Sequence, residues 1–261
     1  MRKYRYLFDQ LVRRELKQKY KGTFVGVLWY LVNPLVLMGV YGVMLGTLLH
    51  VETVHDYLVF ILSGLLVWLF FSQGLSASCS SLVDQAGLIG KVAFPRATVP
   101  AATVVVQLIP MLTILVVLIP LSAILQGTSL LPLLALPALL ICLFAFTLGF
   151  ALVVSSMNAH FRDVQPIVTA ALLPWFFVSG VLFNLDHLAS SDDHGARRTL
   201  EEVLRWGDPI APFVTAFRDV IYGGAWPSLA VFVYVIVAAG ASLAIGATMF
   251  RRLSAELAVV I

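Results

Sequence analysis

The chain contains long apolar runs that hold no Asp, Glu, Lys, Arg or His, and this feature restricts its fold more than any other. Of the 261 residues, 60% are hydrophobic and 12% are charged, whereas soluble domains carry about 25% charged residues. Each run is long enough to cross the hydrocarbon core of a bilayer as a helix, which takes about 20 residues. The runs are residues 25–49, 57–78, 99–125, 130–157, 165–183 and 228–249.

The sequence therefore predicts an all-α polytopic membrane protein, with six transmembrane helices in one domain over residues 1–261. Helices are favoured because backbone polar groups in lipid must be satisfied within their own segment. Residues 126–129 are interpreted as a tight turn between the third and fourth spans. The composition argues against a cytosolic enzyme and excludes intrinsic disorder. Cys79 and Cys142 provide neither a disulfide framework nor metal-ligand spacing, so no metal site is expected.

The distribution of basic residues predicts the orientation of the chain. Six spans place both termini on one side, and 13 of the 17 Lys and Arg residues fall on that side. Cytoplasmic loops carry such an excess. We therefore expect a multi-pass protein of a bacterial inner or plasma membrane with both termini in the cytoplasm.

Residues 1–24 are predicted to form an N-terminal interfacial helix. Its apolar residues recur at helical spacing, and its basic residues lie mostly on the other faces, an arrangement that suits an anionic leaflet. A basic tail that only sets topology is the alternative. The apolar positions are Leu7, Phe8, Leu11, Val12, Leu16 and Tyr20.

Residues 79–98 are predicted to form a cytoplasmic coupling segment with a short amphipathic helix. Apolar side chains beside charged ones suit docking into a groove on a soluble partner, although a connector lying on the membrane has the same composition. A phosphate-binding loop is excluded, because that motif requires Gly where Gln85 stands and Ser or Thr where Val92 stands. The predicted docking residues are Leu82, Asp84, Leu88, Ile89, Lys91, Val92 and Phe94.

Two further polar segments stand between spans. Arg162 and Asp163 form a turn predicted at the cytoplasmic edge, where each is expected to pair with another span, a loop or a lipid phosphate, or to act as a plain anchor. The outer segment 184–227 contains helix-like stretches around 196–206 and 209–223, with Asp208 as the predicted cap of the second. These two short external helices are interpreted as a gate, or alternatively as a hairpin on the membrane surface.

Aromatic residues cluster within the first, second and fifth predicted spans. Aromatic faces stack on sugar rings and suit a path for a glycan, whereas packing against lipid is the alternative for each of them. The candidate path residues are Trp29, Tyr30, Trp68, Phe71, Trp175 and Phe176.

The spans lack the chemistry that several function classes need. Proton-driven transporters need ionisable groups inside the membrane, and a serine nucleophile needs a base. A transport pathway driven by ATP on another chain agrees with both absences.

Four segments in order along the chain resemble the type 2 ABC-transporter permeases that export polysaccharides, the Wzm, KpsM and TagG group. Residues 13–20 with Leu28-Trp29 and Asn33-Pro34 resemble the start of that family's first span, and Leu88-Ile89 through Phe94-Pro95-Arg96 resemble its coupling region. The other two are Phe161-Arg162-Asp163-Val164 and Asp208-Pro209 followed by Arg218 and Gly223-Gly224. The chain departs from the family at Asp208, often Asn there, at Leu173-Pro174, usually Ser-Pro, and at Gly87 and Gly90.

The resemblance implies a homodimer with a channel lined mainly by the first and fifth spans. It also implies two separate ATPase subunits that carry ATP and Mg²⁺, no cofactor on this chain, no nucleic acid, and a lipid-linked glycan as cargo. The chain itself is then a transport subunit rather than an enzyme. In this mechanism Arg13, Arg14, Lys17 and Lys19 guide the diphosphate head group, and Phe213, Phe217 and Arg218 gate release.

Two other functions remain open from the sequence. A permease of the same superfamily that exports a drug, lipid or antibiotic has the same architecture. A membrane enzyme of glycan assembly is a second alternative, but it needs charged catalytic residues that the spans lack.

Overall fold

The computed structural model is all-helical over the residues that it describes, which are 2–20, 32, 35–37, 39–40, 43, 57–89, 94–127, 129–182 and 206–260. This confirms the all-α fold class for that part of the chain. The elements with defined bounds are α1 (Arg2–Tyr20), α2 (Tyr57–Asp84), α3 (Ala86–Ile89), α4 (Thr98–Gln126), a 3₁₀ helix (Leu131–Ala135), α5 (Leu136–His160), α6 (Val164–Val178), α7 (Ala211–Ile221) and α8 (Leu229–Val260).

Four stretches of the described chain are helical, long enough and apolar enough to cross a membrane. They are α2, most of α4, the continuous stretch Leu131–His160, and Leu229–Ser254 within α8. These four correspond to the second, third, fourth and sixth predicted spans. Most of the first predicted span, 25–49, lies outside the described residues.

The fifth predicted span is shorter than the sequence indicated. Helix α6 covers 15 residues, or about 22 Å at 1.5 Å per residue, which is less than the roughly 30 Å hydrocarbon core. The prediction of a helix to residue 183 is wrong, because Gly180 adopts a φ of 70° and the chain turns there. The apolar run continues past the turn, so hydropathy alone did not mark the helix end.

Contacts between helices define two ends of the bundle. At the α1 end, α1 packs beside the end of α2 and the start of α4, and Phe250 of α8 joins the same apolar cluster. At the α7 end, the Ser122 hydroxyl near the end of α4 donates to the Ile221 carbonyl of α7. Helices α2, α5 and α8 therefore run toward the α1 end, whereas α4 runs away from it, and α1 and the last turns of α8 lie at the same end.

The predicted coupling loop begins later than expected. Residues 79–84 continue α2, because Cys79 and Leu82 are fully buried and pack against neighbouring helices. Leu82 belongs to the α1-end cluster, together with Leu11 and Val99. Apolar side chains in this stretch thus serve internal packing, which lengthens the helix by six residues beyond the predicted span.

Helices α5 and α8 cross at very short range because small residues meet there. A Cβ atom added to Gly149 would collide with Ser242, and one added to Gly246 would collide with the Gly149 backbone. The Ser242 hydroxyl donates to the Phe146 carbonyl at 2.8 Å. Small residues let backbones approach closely, which is how helices associate in lipid.

We predict that Gly246→Ala lowers the thermal stability of the purified protein, because its Cβ overlaps the Gly149 carbonyl. Overpacking of this kind costs about 1–3 kcal/mol. Gly240→Ala on the same helix is the matched control, since nothing lies within 4 Å of its added Cβ and Ala favours helix. Unfolding followed by fluorescence in detergent measures both variants. Equal midpoints for the two would contradict the close crossing.

Candidate functional site

The N-terminal helix packs on the bundle through one apolar stripe. Leu11 is buried, and Leu7, Phe8 and Val12 pack around it against Leu82, Val99 and Ala102. The apolar stripe of α1 therefore faces protein in this structure, and its place at the membrane interface stays a prediction. Leu16 is half-buried further along the helix.

The four predicted head-group residues divide into two pairs. All four are exposed, and among the described residues no hydrogen bond holds Arg13 or Lys17. Arg14 donates to the Gln85 side-chain oxygen at 3.0 Å, and the Lys19 ammonium donates to the Gln107 side-chain oxygen at 2.6 Å.

The ammonium of Lys19 differs from an ordinary surface lysine. Desolvation lowers the pKa of Lys19 to about 8, against an opposing effect of the Glu15 carboxylate. Because of this lowered pKa, the Lys19 ammonium is less permanently charged than the Arg13 guanidinium, although much of the Lys19 side chain is exposed.

The predicted docking residues are only partly placed by the structure. Asp84 is exposed and accepts a hydrogen bond from the Ser80 hydroxyl at 2.7 Å, whereas Leu82 is buried and cannot contact a partner. Phe94 is half-buried against the α1-end cluster. Leu88 and Ile89 lie in helix α3. Lys91 and Val92 lie outside the described residues.

The turn after α5 is fixed by Asn158. Its amide donates to the Cys79 carbonyl of α2 at 3.0 Å and accepts from the Gln165 backbone at 3.1 Å. Arg162 and Asp163 are both exposed, and within the described residues neither has a hydrogen bond or ion pair to another span. The turn therefore presents these charges at the α1 end.

An aromatic cluster joins α2, α5, α6 and α7. Trp68 contacts Trp175 and Phe176 at centroid distances of 6.2 and 5.6 Å, and Phe71 contacts Trp175 at 5.3 Å. Trp68, Phe71 and Phe176 are buried in one chain, so they form core packing as well as a candidate path. Trp29 and Tyr30 lie outside the described residues.

An open groove of about 390 Å³ runs between α2 and α6. Trp68 and Phe176 line it together with a polar row that the sequence analysis missed. The polar residues are Ser72, Gln73, Ser76 and Thr169. Ser72 and Ser76 stand four residues apart, on one face of α2. This i, i+4 spacing of polar residues in an apolar run was the available signal.

Helix α7 is buried at its end of the bundle. Phe213 and Phe217 are both 0% exposed, which argues against the alternative of a hairpin on the membrane surface for this stretch. The other helix predicted in the outer segment 184–227, around 196–206, lies almost wholly outside the described residues. Helix α7 also begins at Ala211 rather than Pro209, because Asp208 turns the preceding chain by accepting from the Ile210 backbone at 3.0 Å.

Asp208 is itself an unusual group. Its Oδ1 also accepts from the Trp175 indole at 2.9 Å, while in the described part of the chain nothing donates to its buried Oδ2. Desolvation raises the pKa of Asp208, and its two hydrogen bonds oppose that rise. The carboxyl ties α6 to the start of α7.

Arg218 of α7 holds the chain where it leaves α6. Its guanidinium donates to the Gly180 and Val181 carbonyls at 3.0–3.3 Å and lies 3.6 Å from the Phe60 ring centroid. Gly64 provides the space, since an added Cβ would stand 2.8 Å from Arg218 Nη2. Tyr57 supports the same turn by donating to the Leu182 carbonyl at 2.7 Å.

Among the described residues, no group of three or more His, Cys, Asp or Glu side chains could hold a metal ion. The described residues instead form a groove with polar and aromatic lining between α2 and α6. Hydrogen bonds hold the helices together at the α1 end and at the α7 end.

We predict that Gly64→Ala destabilises the protein by displacing the Arg218 guanidinium from the two carbonyls. The cost is about 1–3 kcal/mol. In an Arg218→Met background the same substitution should cost less, and the difference is a coupling free energy. Gly39→Ala is the control, because its added Cβ has no neighbour within 4 Å. Additive effects on the unfolding midpoint would contradict this account.

Comparison with known proteins agrees with this architecture. The profile of the ABC-2 type transporter family matches residues 6–192. The O-antigen export system permease protein RfbA of Myxococcus xanthus is 30% identical over 219 residues, which cover 84% of this chain and 81% of the relative. RfbA of Klebsiella pneumoniae is 26% identical over 231 residues, covering 84% and 82%. This chain belongs to the ABC-2 type transporter family and is a multi-pass membrane permease subunit.

Proposed function

We propose that the chain is the transmembrane subunit of an ATP-driven exporter of lipid-linked polysaccharide. The relatives named as O-antigen export permeases support this cargo class. The observation that carries the proposal is the groove between α2 and α6. Aromatic faces beside hydroxyl and amide groups are suited to sugars, which present both apolar ring faces and hydroxyls.

The polar groups of this groove are available to a ligand. In the described part of the chain, no hydrogen bond joins the side chains of Ser72, Gln73 or Ser76 to other protein groups, and each is only half-buried. Trp68 and Phe176 form the apolar wall. A groove lined only by aliphatic side chains favours a lipid tail, whereas this row provides donors and acceptors for sugar hydroxyls.

The exposed surface of α6 supports a homodimer. Ile167, Leu173 and Phe177 are 63%, 67% and 51% exposed, and they lie on the helix that forms one wall of the groove. A second copy that packed there would enclose the groove from the lipid side. In this proposal, the channel between two copies is lined mainly by α6, which corresponds to the fifth predicted span, and by the first predicted span, 25–49.

The proposed sidedness puts the α1 end in the cytoplasm. The exposed cations Arg13, Lys17, Arg162, Arg251 and Arg252 lie in segments at this end, as the positive-inside rule requires. The two separate ATPase subunits dock there, on the segment around α3. Both termini are then cytoplasmic, and α7 lies toward the outer face, where it gates release.

We predict that Gln73→Leu reduces glycan export by about three- to tenfold, the range for loss of one hydrogen bond to a ligand. The measurement is ATP-dependent transfer of a lipid-linked glycan in vesicles that contain the permease and its ATPase subunits. Gln165→Leu is the matched control, because this exposed glutamine on α6 does not line the groove.

The cargo in that assay also tests the function itself. If a lipid without sugars is moved as fast as the glycan, and Gln73→Leu affects neither, the protein is a lipid or drug exporter of the same superfamily. Loss of export with unchanged ATPase binding supports the glycan groove.

We also predict that Arg13→Glu lowers export several-fold while ATPase docking stays intact, because an exposed guanidinium is free to bind phosphate oxygens. Arg251→Glu makes the same charge change on the exposed last turns of α8 and serves as control. Binding of the ATPase in pull-downs and export in vesicles are measured together. Equal effects of the two variants would contradict a head-group role for Arg13.

A further inference from the structure

One buried amide joins the predicted coupling segment to the N-terminal helix. Gln85 stands between the end of α2 and the start of α3 and is 3% exposed. Its Oε1 accepts from Arg14 Nη1 at 3.0 Å, and its Nε2 donates to Glu15 Oε1 at 2.9 Å. Both functional atoms of this side chain therefore bind α1.

The residue type suits this position closely. An amide presents an acceptor and a donor at once, so it can satisfy a cation and an anion on the same helix. A carboxylate at residue 85 would repel Glu15, and an aliphatic side chain would leave Arg14 and Glu15 without these bonds. Hydrogen bonds to charged groups are the stronger class of protein hydrogen bond.

Helix α1 is also held by the other flank of the coupling segment. Leu11 shares one apolar cluster with Leu82 near the end of α2 and with Val99 near the start of α4, and Lys19 binds Gln107 further along α4. A helix bound to both flanks moves with the residues between them, because packed interiors resist deformation.

We propose that Gln85 is a positioning residue that transmits displacement of α3 to α1 and its exposed basic face. The inference rests on the proposed docking of the ATPase at the α3 segment, and it goes beyond that proposal. In this arrangement ATP-driven movement at α3 shifts Arg13 and Lys17, two exposed cations that no hydrogen bond holds among the described residues, relative to the membrane surface.

The first test measures the movement of α1 directly and does not depend on the cargo. An environment-sensitive fluorophore is attached at Arg13→Cys, in a background with Cys79→Ala and Cys142→Ala, in the permease assembled with its ATPase subunits. ATP should change the emission, and Gln85→Leu should remove most of that change, because residue 85 then makes no hydrogen bond to Arg14 or Glu15. ATPase binding and hydrolysis should persist.

The control is Gln10→Leu, the same chemical change at an exposed position of α1, which should leave the signal intact. A Gln85→Leu signal equal to that of the parent, or a parent with no response to ATP, overturns the proposal. Failure of the parent to export glycan contradicts the proposed function alone, because the fluorescence signal is read without cargo.

A second variant keeps the proposal testable if Gln85→Leu fails to fold. Glu15→Cys and Gln85→Cys are joined with a short bifunctional maleimide, since two long side chains that meet at their tips stand too far apart for a disulfide. If α1 and the α3 segment move together, the cross-linked complex keeps its ATP response. Loss of the response on cross-linking shows that the two must separate, which overturns the proposal.

Discussion

The need to satisfy polar groups without water governs the whole arrangement. In hydrocarbon an unbonded backbone or side-chain group costs several kcal/mol, and several polar residues of the helices bind carbonyl groups inside the chain. Asn158 binds the Cys79 carbonyl, Ser242 binds the Phe146 carbonyl, and Arg218 binds the Gly180 and Val181 carbonyls. Each bond joins different helices or the turns that follow them. The same groups that avoid a desolvation cost therefore fix how the helices are assembled.

Apolar packing then determines which parts of the bundle stay close. Gly149 and Gly246 bring α5 and α8 into backbone contact, while Phe146, Phe71 and Phe213 connect α2, α5 and α7 through their rings. Helix α6 packs through Leu172, Trp175 and Phe176, whereas Ile167, Leu173 and Phe177 are exposed in the described part of the chain. A helix held on one side beside a tightly packed group is the element best placed to line a pathway between two copies.

The sequence predicted the elements better than their environments. Four of the apolar runs are helices close to their expected bounds, because length and hydropathy determine what can cross lipid. Burial of Leu82 and of α7 was not predicted, since an amphipathic stripe looks the same whether it faces lipid, a partner protein or the chain's own core. The end of α6 was missed because the turn depends on Gly180 and on Arg218, which is 38 residues away. The polar row of the groove was visible as Ser72, Gln73 and Ser76 but was outweighed by the aromatic residues around it.

The basic residues of α1 show why position within a helix matters more than charge for binding a phosphate. If Arg14 bound a head group, it would have to release Gln85, and the buried amide oxygen would lose its partner. Lys19 would have to release Gln107 and, with its pKa lowered to about 8, is less fully charged than an ordinary lysine near neutral pH. Arg13 and Lys17 have no such cost, because they are exposed and no hydrogen bond holds either side chain among the described residues. Docking of α1 on the bundle and the proposed recognition of an anionic head group therefore fall to different residues of one helix, so that α1 could stay attached while Arg13 and Lys17 bind and release a ligand.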